Sequence, residues 1–522
     1  MNNFKRITNI LASFLICLIV LLSFRSYAAH LSPDISSDNA IHVLMAYHLK
    51  LPDDLYYWGQ DRLGSLVPIL GHLALKILPI RPIEAVAYIQ YLLLIAGFFC
   101  FTRLFKTSVA TIIFTLIYFL PQIYFFALLT VGQPYAGQLF CISFAILLLD
   151  RFIQASDKIQ GVQKHILLSL IVVNLFIALW ISDFTIVTIV LLAGMGIQYA
   201  DRVIREPSEI KPTKIASLKF EILNVAIVSI IGGLFIGYAK YHASTRRNYS
   251  SLSSPEETIE VIQRLWTALI RTLTFQFEIF QPGAFFLSLQ AGLIAIFLIS
   301  ATFIALRRRH KNPIILSRWF HLLFWNAILG LMILIPSHWL YQNDINLRYF
   351  VPVYVFFWMA AILFFESLDG ATARKIGVVL TSAAIASSLT SPPYVFAFKK
   401  LEPTVQRMQA VESLGQAGII GEYWTSYISC VANPALLNCT PYDHKAKTPC
   451  RPKVKRPKRP GGVRCIRCVD RVMESDLIYL IQENWLATFP TEIEQFRHCL
   501  QKAGEPMQLA GFTFAPYTKR PD

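Results

Sequence analysis

The sequence predicts an all-α polytopic membrane protein: about eleven transmembrane helices plus interfacial helices, with a small extracytoplasmic C-terminal α/β domain. Three observations predict it. Hydrophobic residues make up 55% of the 522 residues and charged residues only 15%, against about 25% charge in an average soluble domain. Apolar runs long enough for a membrane helix recur along the chain. From Leu401 onward the composition changes, and charge returns to an ordinary density. The division expected is a transmembrane domain over 1–398 and a soluble domain over 399–522.

A crossing helix needs roughly 20 apolar residues at about 1.5 Å each. Spans are expected near residues 9–28, 84–104, 108–129, 136–153, 165–181, 184–200, 221–240, 284–306, 314–336, 348–367 and 375–391. Ser65–Leu78 is apolar but short, and His72 and Lys76 stand four apart in it. It reads as an amphipathic helix lying at the interface.

The bias of Lys and Arg toward cytoplasmic loops tests this count. With Lys5 and Arg6 inside, eleven spans place Arg103 and Lys106, Arg151 with Lys158 and Lys164, the Arg202–Lys219 basics, the Arg307–Lys311 cluster and Arg374–Lys375 inside. A crossing by Ser65–Leu78 would export the Arg307–Lys311 cluster. Residues 29–83, 241–283, 337–347 and the tail from about 392 then lie outside. Read instead as a leader cleaved after Ser26-Tyr27-Ala28, the first segment leaves every later orientation unchanged.

The tail carries its own signals. Asp476–Ile481 reads as a buried strand and Glu492–Lys502 as an amphipathic helix. The insert 445–467 holds ten Lys and Arg with no Asp or Glu and reads as a Pro-rich, semi-rigid loop. Any binding by that basic run would favour anionic head groups or a phosphorylated glycan, and its side of the membrane argues against nucleic acid as a partner. Six of the nine cysteines, Cys430, Cys439, Cys450, Cys465, Cys468 and Cys499, fall in the tail. An even number in an oxidising compartment favours disulfides. Zinc held by Cys439, Cys450, Cys465 and Cys468 is the alternative, weakened by the lack of a second close pair.

Chemistry is sought where polar residues gather, and the loop 29–83 is the richest place. Asp38 and His42 share one face of a helix expected from about Asn39 to Leu49. Asp38 reads equally as a reactive carboxylate or as the N-cap of that helix, and Asp34 is the fallback acid. Tyr56, Tyr57 and Trp58 read by themselves as interfacial aromatics. Arg348 opens a late span on the side where Arg is disfavoured, against a plainer reading as a snorkelling anchor. Asp183 reads as a turn former. The loop holding Tyr249, Glu256, Glu257, Arg264, Arg271 and Glu278 is a possible cover for a site. Asn343 and Asp344 stand close enough to Arg348 in sequence to help hold a donor or a divalent metal, though solvated loop residues is the plainer reading.

The ordered set resembles the GT-C superfamily of integral-membrane glycosyltransferases, in particular the branch with aminoarabinose transferase and the protein O-mannosyltransferases. The residues that carry the resemblance are Ser37-Asp38-Asn39-Ala40-Ile41-His42 after the first span, Tyr57-Trp58-Gly59-Gln60 with Gly64-Ser65-Leu66, and Arg348-Tyr349-Phe350-Val351-Pro352 opening a late span. Relatives often have Asp-Glu where this chain has Asp38-Asn39, which leaves a second local carboxylate in doubt.

The resemblance implies transfer of a sugar from a polyprenyl-phosphate donor to an extracytoplasmic acceptor: a lipid, glycan or protein. By that likeness Asp38 is the general base and Arg348 binds the donor phosphate, with Arg62 and Lys76 as weaker candidates. His42, Tyr57, Trp58, Gln60 and Tyr349 would line the substrate groove. The resemblance fixes no cofactor, and a divalent metal is the open alternative. The expected setting is a bacterial inner membrane with the C-terminus in the periplasm. The rival readings are a lipid-linked sugar transporter, which would spread polar residues through the bundle, and a non-enzymatic envelope assembly protein built around the tail.

Overall fold

The computed structural model describes residues 2–154, 162–205, 212–243, 251–276, 283–308, 314–444, 450 and 463–520. Helix α1 (Asn2–Tyr27) leads into two short helices, α2 (Ser37–Tyr47) and α3 (Leu66–Ile77). Helices α4 (Pro82–Thr102), α5 (Ser108–Phe119), α6 (Tyr135–Gln154), α7 (Val162–Ile181), α8 (Ile186–Arg205) and α9 (Pro212–His242) follow. An amphipathic α10 (Pro255–Leu273) precedes α11 (Ala284–Arg308) and α12 (Arg318–Leu334). A one-turn α13 (His338–Gln342) then leads to α14 (Val351–Glu366) and α15 (Gly370–Leu389).

The protein is a multi-pass helical membrane protein. Each expected span coincides with one of α1, α4–α9, α11, α12, α14 and α15. Among the described residues, seven helices are long and apolar enough to cross a membrane: α1, α4, α6, α7, α9, α11 and the Leu347–Glu366 segment that contains α14. Helices α5, α8 and α12 are apolar but shorter. Helix α15 is rich in Gly, Ala, Ser and Thr, and those small side chains let it pack closely on α11 and α5.

The span expected over 108–129 ends as an α-helix at Phe119, and Ile123–Leu128 is a 3-10 turn. Pro121 explains the break: it lacks an N–H, and it pushes Leu120 out of the helical region. Helix α3 has 12 residues, about 18 Å, and packs on α2 and α4; α5 is as short, but the apolar turn Ile123–Leu128 continues it.

Contacts between loops test the alternation. At one end, Gly64 N–H donates to Ile181, Ser253 N–H to Pro336, and Thr404 N–H to Ser32. All of these segments are expected on the same side. At the other end, Glu366 accepts from the N–H groups of Lys106 (2.8 Å) and Thr107 (2.7 Å). Trp319 there donates to Asp150 at 2.9 Å. Among these contacts, no pair joins loops that an eleven-span alternation would separate.

The C-terminal part begins with a short helix, α16 (Thr404–Met408), docked on the loop after α1. A seven-stranded mixed sheet follows: β1 (Ala417–Gly421), β2 (Leu437–Pro441), β3 (Ile478–Ile481), β4 (Glu492–Gln495), β5 (His498–Lys502), β6 (Met507–Leu509) and β7 (Phe512–Lys519). Its order is β2-β1-β3-β7-β5-β4, with β6 on β7. Strands β2 and β3 flank β1 in parallel, and the remaining pairings are antiparallel. Helices α17 (Tyr423–Ser429) and α18 (Ile466–Glu474) complete the α/β domain.

The expected strand at 476–481 is β3, buried throughout. The expected helix at 492–502 is instead the β4–β5 hairpin, a correction. Its turn residues Phe496 and Arg497 both have positive φ, the geometry of a tight hairpin that normally announces itself by Gly or Asn. Neither is present, so the helical spacing of apolar residues misled. Of the insert 445–467, only Cys450 and 463–467 lie within the described residues, and Tyr249 and Glu278 lie outside them. The tail cysteines form three disulfides: Cys430–Cys439, Cys450–Cys499 and Cys465–Cys468. The zinc alternative is thereby excluded for the set considered.

Candidate functional site

Helix α2 builds the floor of the site. Its N-cap is Ser36, whose backbone N–H (2.8 Å) and hydroxyl (2.6 Å) both donate to the Asn39 amide oxygen. Asn39 also donates to the Val131 carbonyl. The residue that departs from the Asp-Glu pattern is therefore a buried structural clamp, and Asp38 is not the cap. Its carboxylate is left to face outward from the first turn.

Two tyrosines hold that carboxylate by one oxygen. Tyr423, the first residue of α17, donates to Asp38 Oδ1 at 2.6 Å, and Tyr57 donates to the same atom at 3.2 Å. The two hydroxyls lie 3.3 Å apart. Burial first, and then the Asp38 charge, push both phenols well above their ordinary pKa, so they remain donors. The other oxygen, Oδ2, accepts no hydrogen bond among the described residues and stands 3.9 Å from Arg348 Nη1.

Arg348 is delivered by the turn that opens α14. Tyr135, at the start of α6, donates to the Arg348 carbonyl at 2.6 Å, and the Arg348 N–H donates to Asn346. The guanidinium donates to the Tyr349 hydroxyl at 3.1 Å. Its Nε is buried with no partner among the described residues. Arg62 stacks 4.0 Å from the centre of the Trp339 ring, which meets Tyr349 edge-on, so both arginines stand along one rim.

Gly132 lets the loop before α6 close on this floor. Its φ is +91°, and a Cβ there would fall 2.6 Å from the Asp38 carbonyl carbon and oxygen. A side chain at 132 would displace the first turn of α2.

The other expected site residues are placed as follows. His42 is buried beneath Asp38, with Nδ1 3.2 Å from the Asp38 carbonyl oxygen and its ring beside Tyr57. Burial lowers its pKa to about 4, so it is neutral packing rather than a charged partner. Trp58 is also buried and donates to Asp54 at 3.0 Å. Gln60 closes a turn through its N–H to the Tyr57 carbonyl. Asp34 is exposed one turn before α2, where Ser32 bonds its backbone. Lys76 is exposed in the last turn of α3, at the far end of that helix from Ser65.

The neighbours of Asp38 are phenols and guanidiniums, which are donors to anions rather than metal ligands. Among the described residues, the one group of three His, Cys, Asp or Glu close enough to share an ion is Cys450, Glu492 and Cys499. Its two sulfurs are joined in a disulfide and offer no thiolate. Asp344 is exposed and faces Arg264 at 3.8 Å; it does not reach Arg348.

Two residues of the cluster were missed in the sequence, Tyr423 and Arg464. Tyr423 opens a seven-residue helix after β1, and Ser37 donates to its carbonyl. The Arg464 guanidinium carbon lies 4.4 Å from the centre of the Tyr423 ring and 5.8 Å from that of Tyr57. Arg464 sat inside a run of ten basic residues, where nothing local distinguishes it.

Fold and site together define a polytopic helical membrane protein with a carboxylate–arginine centre between its bundle and its C-terminal domain. No protein-family model and no curated protein matches the chain. Among solved structures, the chain is similar to the archaeal oligosaccharyltransferase AglB from Archaeoglobus fulgidus in complex with an inhibitory peptide and a dolichol-phosphate. Identity is 11%, the TM-score 0.42, and the match covers 82% of this chain and 64% of AglB. It is also similar to ArnT from Cupriavidus metallidurans in the apo state, at 10% identity, TM-score 0.41 and 98% coverage of both chains. The chain thus spans just under two-thirds of the length of AglB. At these scores the likeness is one of overall chain course and says nothing about chemistry.

Proposed function

We propose that the protein is a membrane glycosyltransferase that moves a sugar from a polyprenyl-phosphate donor to an acceptor hydroxyl outside the cytoplasm. Asp38 Oδ2 takes the proton as the acceptor oxygen attacks the anomeric carbon. The bond from that carbon to the phosphate oxygen breaks, and Arg348 binds the departing phosphate. One observation carries this reading: an acid after the first span and an arginine opening a late one meet at 3.9 Å, and the carboxylate oxygen in that contact accepts no hydrogen bond among the described residues.

The two tyrosines fit the role. They satisfy Oδ1 and orient the carboxylate, so Oδ2 is free to accept a proton. The disulfides of the C-terminal domain support an oxidising compartment such as the periplasm, with the bacterial inner membrane as the setting. The acceptor is a lipid, glycan or protein that reaches the same surface.

The test offers purified protein a panel of polyprenyl-phosphate sugars. Asp38→Asn is expected to lower transfer by about 10²–10⁴-fold with the fold retained. Arg348→Ala is expected to weaken donor binding. Undiminished transfer by Asp38→Asn would refute the assignment of the base.

A further inference from the structure

Arg464 stands at the proposed site with no role in the scheme above. Its neighbour Arg467 is explained: it pairs with Asp54, a carboxylate that is 1% exposed. Arg464 has no carboxylate within ion-pair distance among the described residues. It lies instead against the faces of Tyr423 and Tyr57, the two rings whose hydroxyls reach Asp38. With Arg348, the cluster holds two guanidiniums to one carboxylate. Arg464 is only partly exposed, and two ring faces supply less than a full counter-charge, so a bound anion would complete its pairing. A guanidinium fork matches a phosphate in shape and charge.

The chain around Arg464 is built to hold it there. Gly59 has φ +74°, and a Cβ at that position would come within 2.9 Å of Arg464 Cβ and Cγ. Only the missing side chain lets the two backbones approach. Cys465 is the N-cap of α18 and is bonded to Cys468. Arg467 then ties the same turn to the loop after α1 through Asp54.

We propose that Arg464 is a second binding residue for the phosphate of the lipid carrier, carried into the site by the C-terminal domain and held there by the Cys465–Cys468 disulfide. The proposal rests on the glycosyltransferase reading for the identity of its anion. It adds that the membrane domain alone makes an incomplete donor site, and that a dithiol reductant would weaken donor binding.

The experiment measures binding of decaprenyl phosphate to the full-length detergent-solubilised protein, with decaprenol as the uncharged control. Variants are Arg464→Gln, Arg464→Lys and the double Cys465→Ser/Cys468→Ser. Loss of one charged hydrogen-bonding partner predicts a Kd for the phosphate raised about 10–100-fold in Arg464→Gln, with decaprenol binding unchanged. Arg464→Lys keeps the charge but not the fork and is expected to lose less. If Arg464→Gln fails to fold, Arg464→Lys carries the test. The double serine variant should lose affinity, as should wild type under reductant.

Wild-type affinity in the folded Arg464 variants would overturn the phosphate role, as would equal losses for phosphate and decaprenol. Unchanged affinity in the double serine variant would overturn the role of the disulfide. If wild type binds the phosphate no better than decaprenol, both this inference and the donor assignment fall. An Arg464 effect on binding alongside undiminished transfer by Asp38→Asn would sink the proposed base and leave Arg464 standing.

Discussion

Asp38 and Asp54 lie in the same loop region after α1, and each faces an arginine from a distant part of the chain, yet they are used in opposite ways. Asp54 is closed. Its oxygens take the Trp58 indole N–H (3.0 Å), the Lys50 N–H (2.8 Å) and Arg467, and it is 1% exposed. Asp38 is open. One oxygen is held by two phenols, the other stands 3.9 Å from Arg348, and the side chain remains 16% exposed. A carboxylate with both oxygens bonded and almost no exposure has nothing to offer a substrate and contributes structure. A half-bonded one beside a cation is poised for a substrate.

Replacing each acid by Asn sharpens the contrast most. At 38, the loss is expected mainly in transfer, with a smaller fall in the melting temperature. At 54, Arg467 would be left without its counter-charge. Breaking a buried ion pair costs about 3–5 kcal/mol, and the 29% exposure of Arg467 places this one near the lower figure. Thermal unfolding should show the loss, while folded Asp54→Asn protein keeps its turnover at saturating donor, any functional loss being confined to donor affinity through the turn that carries Arg464. A variant at 38 that melted earlier than the one at 54, or one at 54 that lost only turnover, would break the comparison.

A second test uses His42, which underlies Asp38. Burial lowers its pKa to about 4 from 6.5. The unfolded chain therefore binds a proton that the folded one refuses. The contribution is fully present above pH 6.5 and is lost as pH falls from there toward 4. At about 1.4 kcal/mol per unit, the swing is on the order of 3 kcal/mol. His42→Gln should flatten that part of the melting temperature against pH curve; an unchanged acid limb would refute a buried neutral imidazole.

Smaller still is Tyr423→Phe, which removes the shorter bond to Asp38. A hydrogen bond to a charged group is worth roughly 1.5–3 kcal/mol, so transfer should fall by about 10–100-fold, less than for Asp38→Asn. The smallest effect belongs to the solvent-exposed pair Lys50–Asp53, 3.3 Å apart with side chains 62% and 44% exposed. Lys50→Ala should shift unfolding by less than about 1 kcal/mol; a larger loss would show that exposed ion pairs also brace this loop.

Much of the bundle was legible because a membrane span is a local property: about 20 apolar residues suffice to declare it. The departures have local causes as well. Pro121 shortened α5, and a hairpin turn without Gly or Asn hid β4–β5. Asp38 and Arg348 were legible only as members of an ordered set of short motifs, and neither residue's plainer reading was excluded by its neighbours in sequence.

The sequence by itself determined the membrane class, the positions of the apolar helices and the two charged residues proposed for a role. Apolar length and charge bias act over a few turns of chain, so they survive without coordinates. Only the tertiary structure decided that Asn39 and Ser36 cap α2, that Tyr423 and Arg464 join Asp38, and that Asp54 does not compete with it. Those outcomes depend on the C-terminal domain packing on α2 across several hundred residues of sequence. Such a contact is set by shape and by which buried polar groups find partners, and no local pattern in the chain records it.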